Sequence, residues 1–190
     1  WTTTQNVVNK TLRGIAFGSA TVGAAVGAGR VAVYTTNGGT TWTPATFNGV
    51  PTTKATVGLR NVKFLNATTA IAVGDSIILK STDGGANWNY VTSPATKTLV
   101  GLDFRGSTGF AVTQAQFLKS TDNGDTWSDI TDLGWHNFTL NAVAVDLGGN
   151  PWAAGLQTTI VTSAPVTAVD GEAEIPVSFA LDQNFPNPFN

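Results

Sequence analysis

The chain contains no cysteine, no methionine and a single histidine, His136. Without thiols there is no disulfide framework, no thiolate nucleophile and no cysteine-held metal. One imidazole cannot build a multi-histidine zinc site from this chain alone. Charge is scarce, at 12% of 190 residues against about 25% in ordinary soluble domains. The formal net charge of −2 has the wrong sign for a phosphate-binding surface, so no nucleic acid partner is expected. No run of about 18 apolar residues occurs. The nearest stretch, Gly18 to Tyr34, is rich in Gly and Ala and carries Arg30. It belongs to the repeat described next, and no membrane span is expected. No basic-then-apolar leader opens the chain at Trp1, so any signal peptide is expected to be already removed or outside this sequence. A hydrophobic content of 42% is ample for a packed core.

What the chain does have is a repeat. Thr35-Thr36-Asn37-Gly38-Gly39-Thr40-Thr41-Trp42, Ser81-Thr82-Asp83-Gly84-Gly85-Ala86-Asn87-Trp88 and Ser120-Thr121-Asp122-Asn123-Gly124-Asp125-Thr126-Trp127 share the pattern Ser/Thr-x-Asp/Asn-x-Gly-x-x-Trp. The tryptophans are 46 and 39 residues apart. Upstream lies a second column: Leu12-Arg13-Gly14-Ile15-Ala16-Phe17, Leu59-Arg60-Asn61-Val62-Lys63-Phe64, Leu99-Val100-Gly101-Leu102-Asp103-Phe104 and Leu140-Asn141-Ala142-Val143-Ala144-Val145. Between the two runs a third: Ala24-Ala25-Val26-Gly27, Ile71-Ala72-Val73-Gly74, Phe110-Ala111-Val112-Thr113 and Ala153-Ala154-Gly155.

The apolar segments are short, β-branched or aromatic, and bounded by Gly, Asn, Asp and Ser, which is strand patterning. No helical period is sustained. Four short strands in 40–47 residues make one propeller blade, so the fold class is all-β, a β-propeller of four-stranded antiparallel blades. In the second blade the strands are expected near Leu59–Leu65, Thr69–Gly74, Ile77–Ser81 and Asn87–Thr92. The Asp-containing motif joins the third and fourth strands. Its Asp or Asn is expected to accept the N–H two residues on, its Gly to supply a positive φ, and its Trp to cover the hairpin. The residues Thr35, Asn37, Gly39, Trp42, Ser81, Asp83, Gly85, Trp88, Ser120, Asp122, Gly124 and Trp127 are therefore read as structural.

This pattern resembles the Asp-box, or BNR, repeat of sialidases, other glycoside hydrolases, sortilin-type receptors and photosystem II assembly factor-like propellers. The second and third copies match fully, the first is degenerate at Thr35 and Asn37, and the fourth has lost the motif, reading Thr162-Ser163-Ala164. The spacing and the Leu-x-x-Val-x-Phe columns look most like the assembly-factor branch. The likeness covers about residues 1–163 and implies fold more than activity.

Composition shifts after Ser163. Residues 164–175 read as a linker and hold both glutamates, Glu172 and Glu174. The run Gln183-Asn184-Phe185-Pro186-Asn187-Pro188-Phe189-Asn190 resembles the opening of a type IX secretion C-terminal sorting domain, here residues 176–190. That resemblance implies secretion machinery as a partner and a secreted or cell-surface destination reached through the periplasm. Trp1 to Gln5 resembles the fourth strand of a blade, and Leu140 to Ser163 supplies three. Either these close a four-bladed ring or the chain starts mid-blade in a larger one. The latter, a fragment, is the expectation.

No catalytic set is expected. Sialidase chemistry needs a Tyr–Glu pair, an Asp acid and an arginine cluster. Tyr34 precedes an Asp box at the wrong end of the blade, and both glutamates lie in the linker. Asp75, Asp103 and Asp146 admit a pairing across the channel, but any two Asp of a propeller do so, and turn-bonded or solvated carboxylates are the expected reading. Asp122, Asp125, Asp129 and Asp132 lack calcium-loop spacing. No metal or cofactor is expected. Binding is the expected business, on the face opposite the Asp boxes, because connecting loops carry function. That face would hold Arg13, Arg30, Arg60, Asp75, Gln114, Trp135, His136 and Asn141, with Lys97, Gln116, Asn137 and Gln157 nearby. Arg13 and Arg60 share a column, and Trp135 is expected either to cap the gap between blades or to stack on a sugar or anchor a protein. The insertion Phe47 to Thr56 is a second candidate lip. The expected ligand is a protein or a glycan. The alternatives are a non-catalytic part of a larger secreted glycoside hydrolase, sialidase- or xyloglucanase-like, and a periplasmic assembly factor.

Overall fold

The structure is a computed structural model that describes residues 7–131, 139–157 and 159–162. Trp1 to Gln5, the loop with Trp135, His136 and Asn137, the linker and the Gln183 to Asn190 run lie outside the described residues. The fold is all-β, with four small sheets arranged as blades of a β-propeller. Blade 1 contains β1 (Leu12–Phe17), β2 (Gly23–Gly27), β3 (Val31–Thr35) and β4 (Thr43–Pro44). Blade 2 contains β6 (Leu59–Phe64), β7 (Ala70–Gly74), β8 (Ile78–Ser81) and β9 (Asn87–Val91), with β5 (Thr46–Asn48) added outside β9. Blade 3 contains β10 (Leu99–Arg105), β11 (Thr108–Thr113), β12 (Phe117–Ser120) and β13 (Ser128–Asp129). Blade 4 has three strands among the described residues, β14 (Leu140–Val145), β15 (Pro151–Gly155) and β16 (Ile160–Thr162). Each blade is an antiparallel meander, as the repeat predicts. Strand ends fall within one residue of the expected bounds, because turns such as Leu65 N–H to Thr69 C=O begin where the apolar run stops. No helix among the described residues is long and apolar enough to cross a membrane.

Alternation puts two apolar stripes on each blade, and at three junctions the stripe of one blade meets that of the next. Leu59, Val62, Phe64, Ala72, Leu79 and Trp88 of blade 2 pack on Ala24, Val26 and Ala32 of blade 1. Ile71, Val73 and Ile78 on the other face meet Leu99, Leu102, Ala111, Leu118 and Trp127 of blade 3. Phe110, Val112 and Phe117 then meet Leu140 and Ala153 of blade 4. The core is thus a row of layers between sheets. Each fully buried Leu, Ile or Phe contributes about 1.5–3 kcal/mol.

The blade junctions also carry polar links. Lys63 Nζ lies 2.7 Å from Asp103 Oδ1, joining blades 2 and 3. The other oxygen of Asp103 accepts the Val145 N–H at 2.8 Å, joining blades 3 and 4. Lys80 Nζ lies 2.7 Å from Asp125 Oδ1.

The Asp boxes form as expected in place and differ in geometry. In blade 2 the Ser81 hydroxyl donates to Asp83 Oδ1 at 2.9 Å and accepts the Gly85 N–H at 2.9 Å. Asp83 Oδ1 accepts the Asn87 N–H at 2.9 Å. The carboxylate therefore reaches four residues on, not two, and it is the serine that serves the turn's interior. Blade 3 repeats this with Ser120, Asp122, Gly124 and Thr126. Thr35, Asn37, Gly39 and Thr41 of the degenerate first copy make the same bonds, since a threonine hydroxyl and an amide oxygen supply the same donor and acceptors.

The box glycine is required twice over. Gly85 and Gly124 have φ of +95° and +83°. A Cβ on Gly85 would sit 2.9 Å from Ala24 Cβ of the preceding blade, and one on Gly124 would sit 2.6 Å from Ile71 Cδ1. Gly85→Ala should therefore cost about 2–3 kcal/mol, combining left-handed strain with overpacking. Gly106→Ala, at φ +58° with open space around it, should cost about 1–2 kcal/mol. Urea unfolding of the two variants measures the difference.

Candidate functional site

Strand direction sorts the chain into two rims. The Asp boxes and the turns between first and second strands lie on one. The N–H groups of Gly38, Gly84 and Asn123 bond to the carbonyls of Thr21, Thr68 and Ser107 in those turns. The starts of the first strands and the turns between second and third strands lie on the other. There, Ala28, Asp75 and Leu156 donate their N–H groups to the carbonyls of Thr11, Gly58 and Thr139.

The second rim carries a feature that the spacing alone did not reveal. Every first strand slips register after its leading leucine: between Leu12 and Gly14, Leu59 and Asn61, Leu99 and Gly101, Leu140 and Ala142. The residue left over in each bulge is Arg13, Arg60, Val100 or Asn141. A bulge frees that residue from the ladder and re-aims its side chain. Arg13, Arg60 and Asn141 are exposed, whereas Val100 is packed against the blade 3–4 core.

Around this bulge rim the charge is lopsided. Its cations are Lys10, Arg13, Arg30, Lys54, Arg60 and Lys97, against two carboxylates among the described residues, Asp75 and Asp129. The whole chain has net charge −2. The cations are separated on this rim from the Asp-box acids Asp83, Asp122 and Asp125, and from Asp146.

Asp75 organises the middle of the rim. Its carboxylate accepts the Gly58 N–H at 2.9 Å, the Arg60 Nε–H at 3.2 Å and the Thr98 hydroxyl at 3.2 Å. Burial raises its pKa, but the Gly58 N–H and Arg60 outweigh this and hold it below the ordinary carboxylate value. A Cβ on Gly58 would lie 2.6 Å from an Arg13 guanidinium nitrogen and 2.9 Å from Asp75 Oδ2. Glycine there lets Arg13 lean across the blade junction toward the Asp75–Arg60 pair.

Arg30 sits in a left-handed turn at φ +53°, with its guanidinium 5.3 Å from the Phe47 ring and donating to the Lys54 carbonyl at 3.1 Å. Ser76 and Gln157 occupy left-handed positions in the corresponding turns of blades 2 and 4, at φ +54° and +56°. Non-glycine residues held there store strain that the surrounding bonds must offset. Gln114 is exposed in the blade 3 turn. Gln116 is committed to structure: its side chain accepts from Thr96 at 2.8 Å and donates to Asp129 at 2.8 Å.

The insertion expected as a second lip is strapped down over part of its length. β5 pairs in parallel with β9, Phe47 beside Trp88, so residues 43–48 leave blade 1 and seal the outer edge of blade 2. Only its later part, a single 3-10 turn over Thr52–Lys54, reaches the bulge rim. Lys54 donates its ammonium to the Ser76 carbonyl there. Lys54 was not singled out in the sequence; the length of the insertion was the signal that could have found it.

Among the described residues the acids are all engaged. Thr126, through its hydroxyl and its N–H, pulls the Asp122 pKa down to about 2. The Trp152 indole N–H and the Asn150 N–H pull Asp146 down to about 2. Among the described residues no three His, Cys, Asp or Glu side chains gather as a metal site.

The sequence pattern of the photosynthesis system II assembly factor YCF48 family matches residues 1–95. The chain belongs to that family. Among solved structures, YCF48 from Cyanidioschyzon merolae is similar at 23% identity and TM-score 0.65, over 86% of this chain and 56% of that one. A YCF48 bound to D1 peptide is similar at 19% identity and TM-score 0.64, over 86% of this chain and 54% of that one. An ancestral GH74 enzyme is similar at 20% identity and TM-score 0.61, over 78% of this chain and 24% of that one. At these identities the likeness is one of fold. The chain spans about half the length of the two YCF48 structures. No curated protein matches the sequence.

The Asp122 shift has a testable consequence. Its folded pKa lies below the unfolded value of 3.8, so its contribution to stability is complete above about pH 4 and is lost as pH falls toward 2. Asp122→Asn keeps an oxygen for the Thr126 N–H, as Asn37 does in blade 1, but cannot titrate. The stability gap between wild type and Asp122→Asn, followed by tryptophan fluorescence, should narrow between pH 4 and pH 2.

Proposed function

We propose that this chain is a non-catalytic binding module that holds an acidic protein segment on its bulge rim. The observation that carries this is the gathering of Lys10, Arg13, Arg30, Lys54, Arg60 and Lys97 on one rim of an acidic chain, with Arg13 and Asn141 pushed out by bulges. An exposed guanidinium offers a fork that matches a carboxylate. The left-handed turns at Arg30, Ser76 and Gln157 pre-set the surface around it. A YCF48 of the same fold has been solved with D1 peptide, which supports a protein segment as the ligand class. The acids favour binding over the glycosidase reading. Asp75 is held by Gly58, Arg60 and Thr98, and Asp103 by Lys63 and Val145, so neither is placed to act as a free acid–base partner.

The place of action in this proposal is outside the cytoplasm. The run Gln183 to Asn190 supports export by a type IX system to the medium or the cell surface. A second reading, a periplasmic factor that helps assemble membrane complexes, is favoured by family membership. Finding the protein in the medium or at the surface with residues 176–190 removed would support the first. Retention in the periplasm with them intact would support the second.

The binding reading predicts that a fluorescein-labelled peptide rich in Asp and Glu binds with salt-sensitive affinity, while a neutral peptide of equal length does not. Arg13→Glu should weaken the acidic peptide about tenfold or more and leave the unfolding midpoint nearly unchanged, since Arg13 is exposed. Equal binding of both peptides, or no response to Arg13→Glu, would overturn the assignment of this rim.

A further inference from the structure

Asn37, Asn48 and Asn123 are each followed directly by glycine. In such a pair the glycine backbone nitrogen, with no Cβ beside it to hinder approach, can close on the asparagine side-chain Cγ. The fold treats the three pairs differently. The Gly38 N–H donates to the Thr21 carbonyl at 2.8 Å, and the Gly124 N–H donates to the Ser120 hydroxyl at 2.9 Å. Both nitrogens are thus committed to holding an Asp-box turn. Asn37 is also fixed at its own side chain, which accepts the Thr41 N–H and donates to the Thr41 hydroxyl, each at 2.9 Å. Asn48 has neither protection. It is the last residue of β5, and both it and Gly49 are exposed. Among the described residues the Gly49 N–H makes no hydrogen bond. Gly49 turns away at φ +66° with open space around it. The Asn48 amide is held by one long bond, its Nδ2 donating to Asn89 Oδ1 at 3.4 Å.

We propose that Asn48 is a self-modification site, deamidating in the folded protein while Asn37 and Asn123 are kept from doing so. Both reacting groups belong to the chain, and water is the other reactant. The Gly49 nitrogen forms a bond to Asn48 Cγ and loses its proton. The Cγ–Nδ2 bond breaks, and Nδ2 leaves as ammonia with that proton. The succinimide ring so formed is opened by water at either carbonyl. One opening leaves an aspartate at position 48. The other routes the backbone through the side-chain carbon and leaves an isoaspartate. Nothing is oxidised or reduced. The position gives this change its effect, because β5 is the strap that seals the outer edge of blade 2, with Phe47 beside Trp88 and Asn48 beside Asn89. Trp88 is fully buried, and among the described residues its indole N–H has no hydrogen-bond partner, so packing alone holds it. An isoaspartate adds a methylene to the backbone at the last rung of this pairing and carries a negative charge. It therefore loosens the strap from β9.

The experiment incubates the full chain in mildly alkaline buffer, folded in one sample and unfolded by guanidinium chloride in the other. Peptide mass spectrometry then follows the gain of about one dalton that replaces the amide by a carboxylate. Asn37 and Asn48 fall in one tryptic peptide, Val31 to Lys54, so electron-transfer fragmentation assigns the site and separates isoaspartate from aspartate. In the unfolded sample all three asparagines should react at similar rates. In the folded sample Asn48 should react within about threefold of its unfolded rate, and Asn37 and Asn123 about tenfold or more slowly than Asn48. Asn48→Gln, whose longer side chain closes the ring far less readily, should abolish the folded-state gain at this position and leave the circular dichroism spectrum unchanged. Folded-state reaction at Asn37 or Asn123 as fast as at Asn48 would overturn the proposal. So would an Asn48 that stays intact until the chain is unfolded. The purified isoaspartyl form should exchange its β9 amide hydrogens about tenfold or more faster than fresh protein. Unchanged exchange there would overturn the loosening of the strap.

Discussion

The structure depends on burial of one sheet's apolar stripe against the next. No blade here has a core of its own. A single sheet of three or four short strands, some only two residues long, has no second layer against which to bury its apolar faces, so it takes that layer from the next blade. Leu59, Leu99 and Leu140 occupy one column of the repeat, and each is sealed by the blade before it. The same leucine in blade 1 lies open. Residue type is constant down that column, so its burial is decided by neighbours about 40 residues distant in sequence.

The Asp box serves that packing. Its hydroxyl and carboxylate satisfy the N–H groups of a tight turn, so the backbone can bring Gly85 and Gly124 against the preceding blade without leaving polar groups unpaired. The first box keeps its full bond set with Thr35 and Asn37 although no described blade precedes it. The turn is therefore autonomous and the close approach is not. Depletion of charge has the same origin. With two buried faces per inner blade, little surface remains for charged side chains. Those that cross a junction, Lys63 with Asp103 and Lys80 with Asp125, do so in pairs.

The bulge rim shows how side chains can vary over such a frame. One extra residue after each leading leucine turns Arg13, Arg60 and Asn141 out of the ladder. In the third blade the same position holds Val100, which is folded inward. Equivalent positions in successive blades thus form a row of four side chains around one end of the propeller, free to differ in chemistry while the strands below stay alike. The insertion after blade 1 adds Lys54 to this row by bracing a short turn against Arg30 and Ser76.

Much of the fold was legible in the sequence. Three columns of residues in register, with turn residues between them, specify short strands of defined length, and strand bounds followed to within a residue. Those signals are local: a Ser, an Asp and a Gly within eight residues make their own hydrogen bonds wherever they are placed. The side on which Arg13, Arg30 and Asp75 gather was also legible, because a meander assigns each turn to a rim. The reach of the Asp83 carboxylate to Asn87 was not, since it depends on the hydroxyl of Ser81 taking the nearer donors. The bulges were not either, since a slip in register is a property of two paired strands. By itself the sequence determined the blade, its turns and its repetition. Only the tertiary structure decided which identical leucine is core and which is surface, and that Lys54 is braced beside Arg30 and Ser76. Burial and electrostatic proximity belong to sheets packed across large sequence separations, not to the residues that compose them.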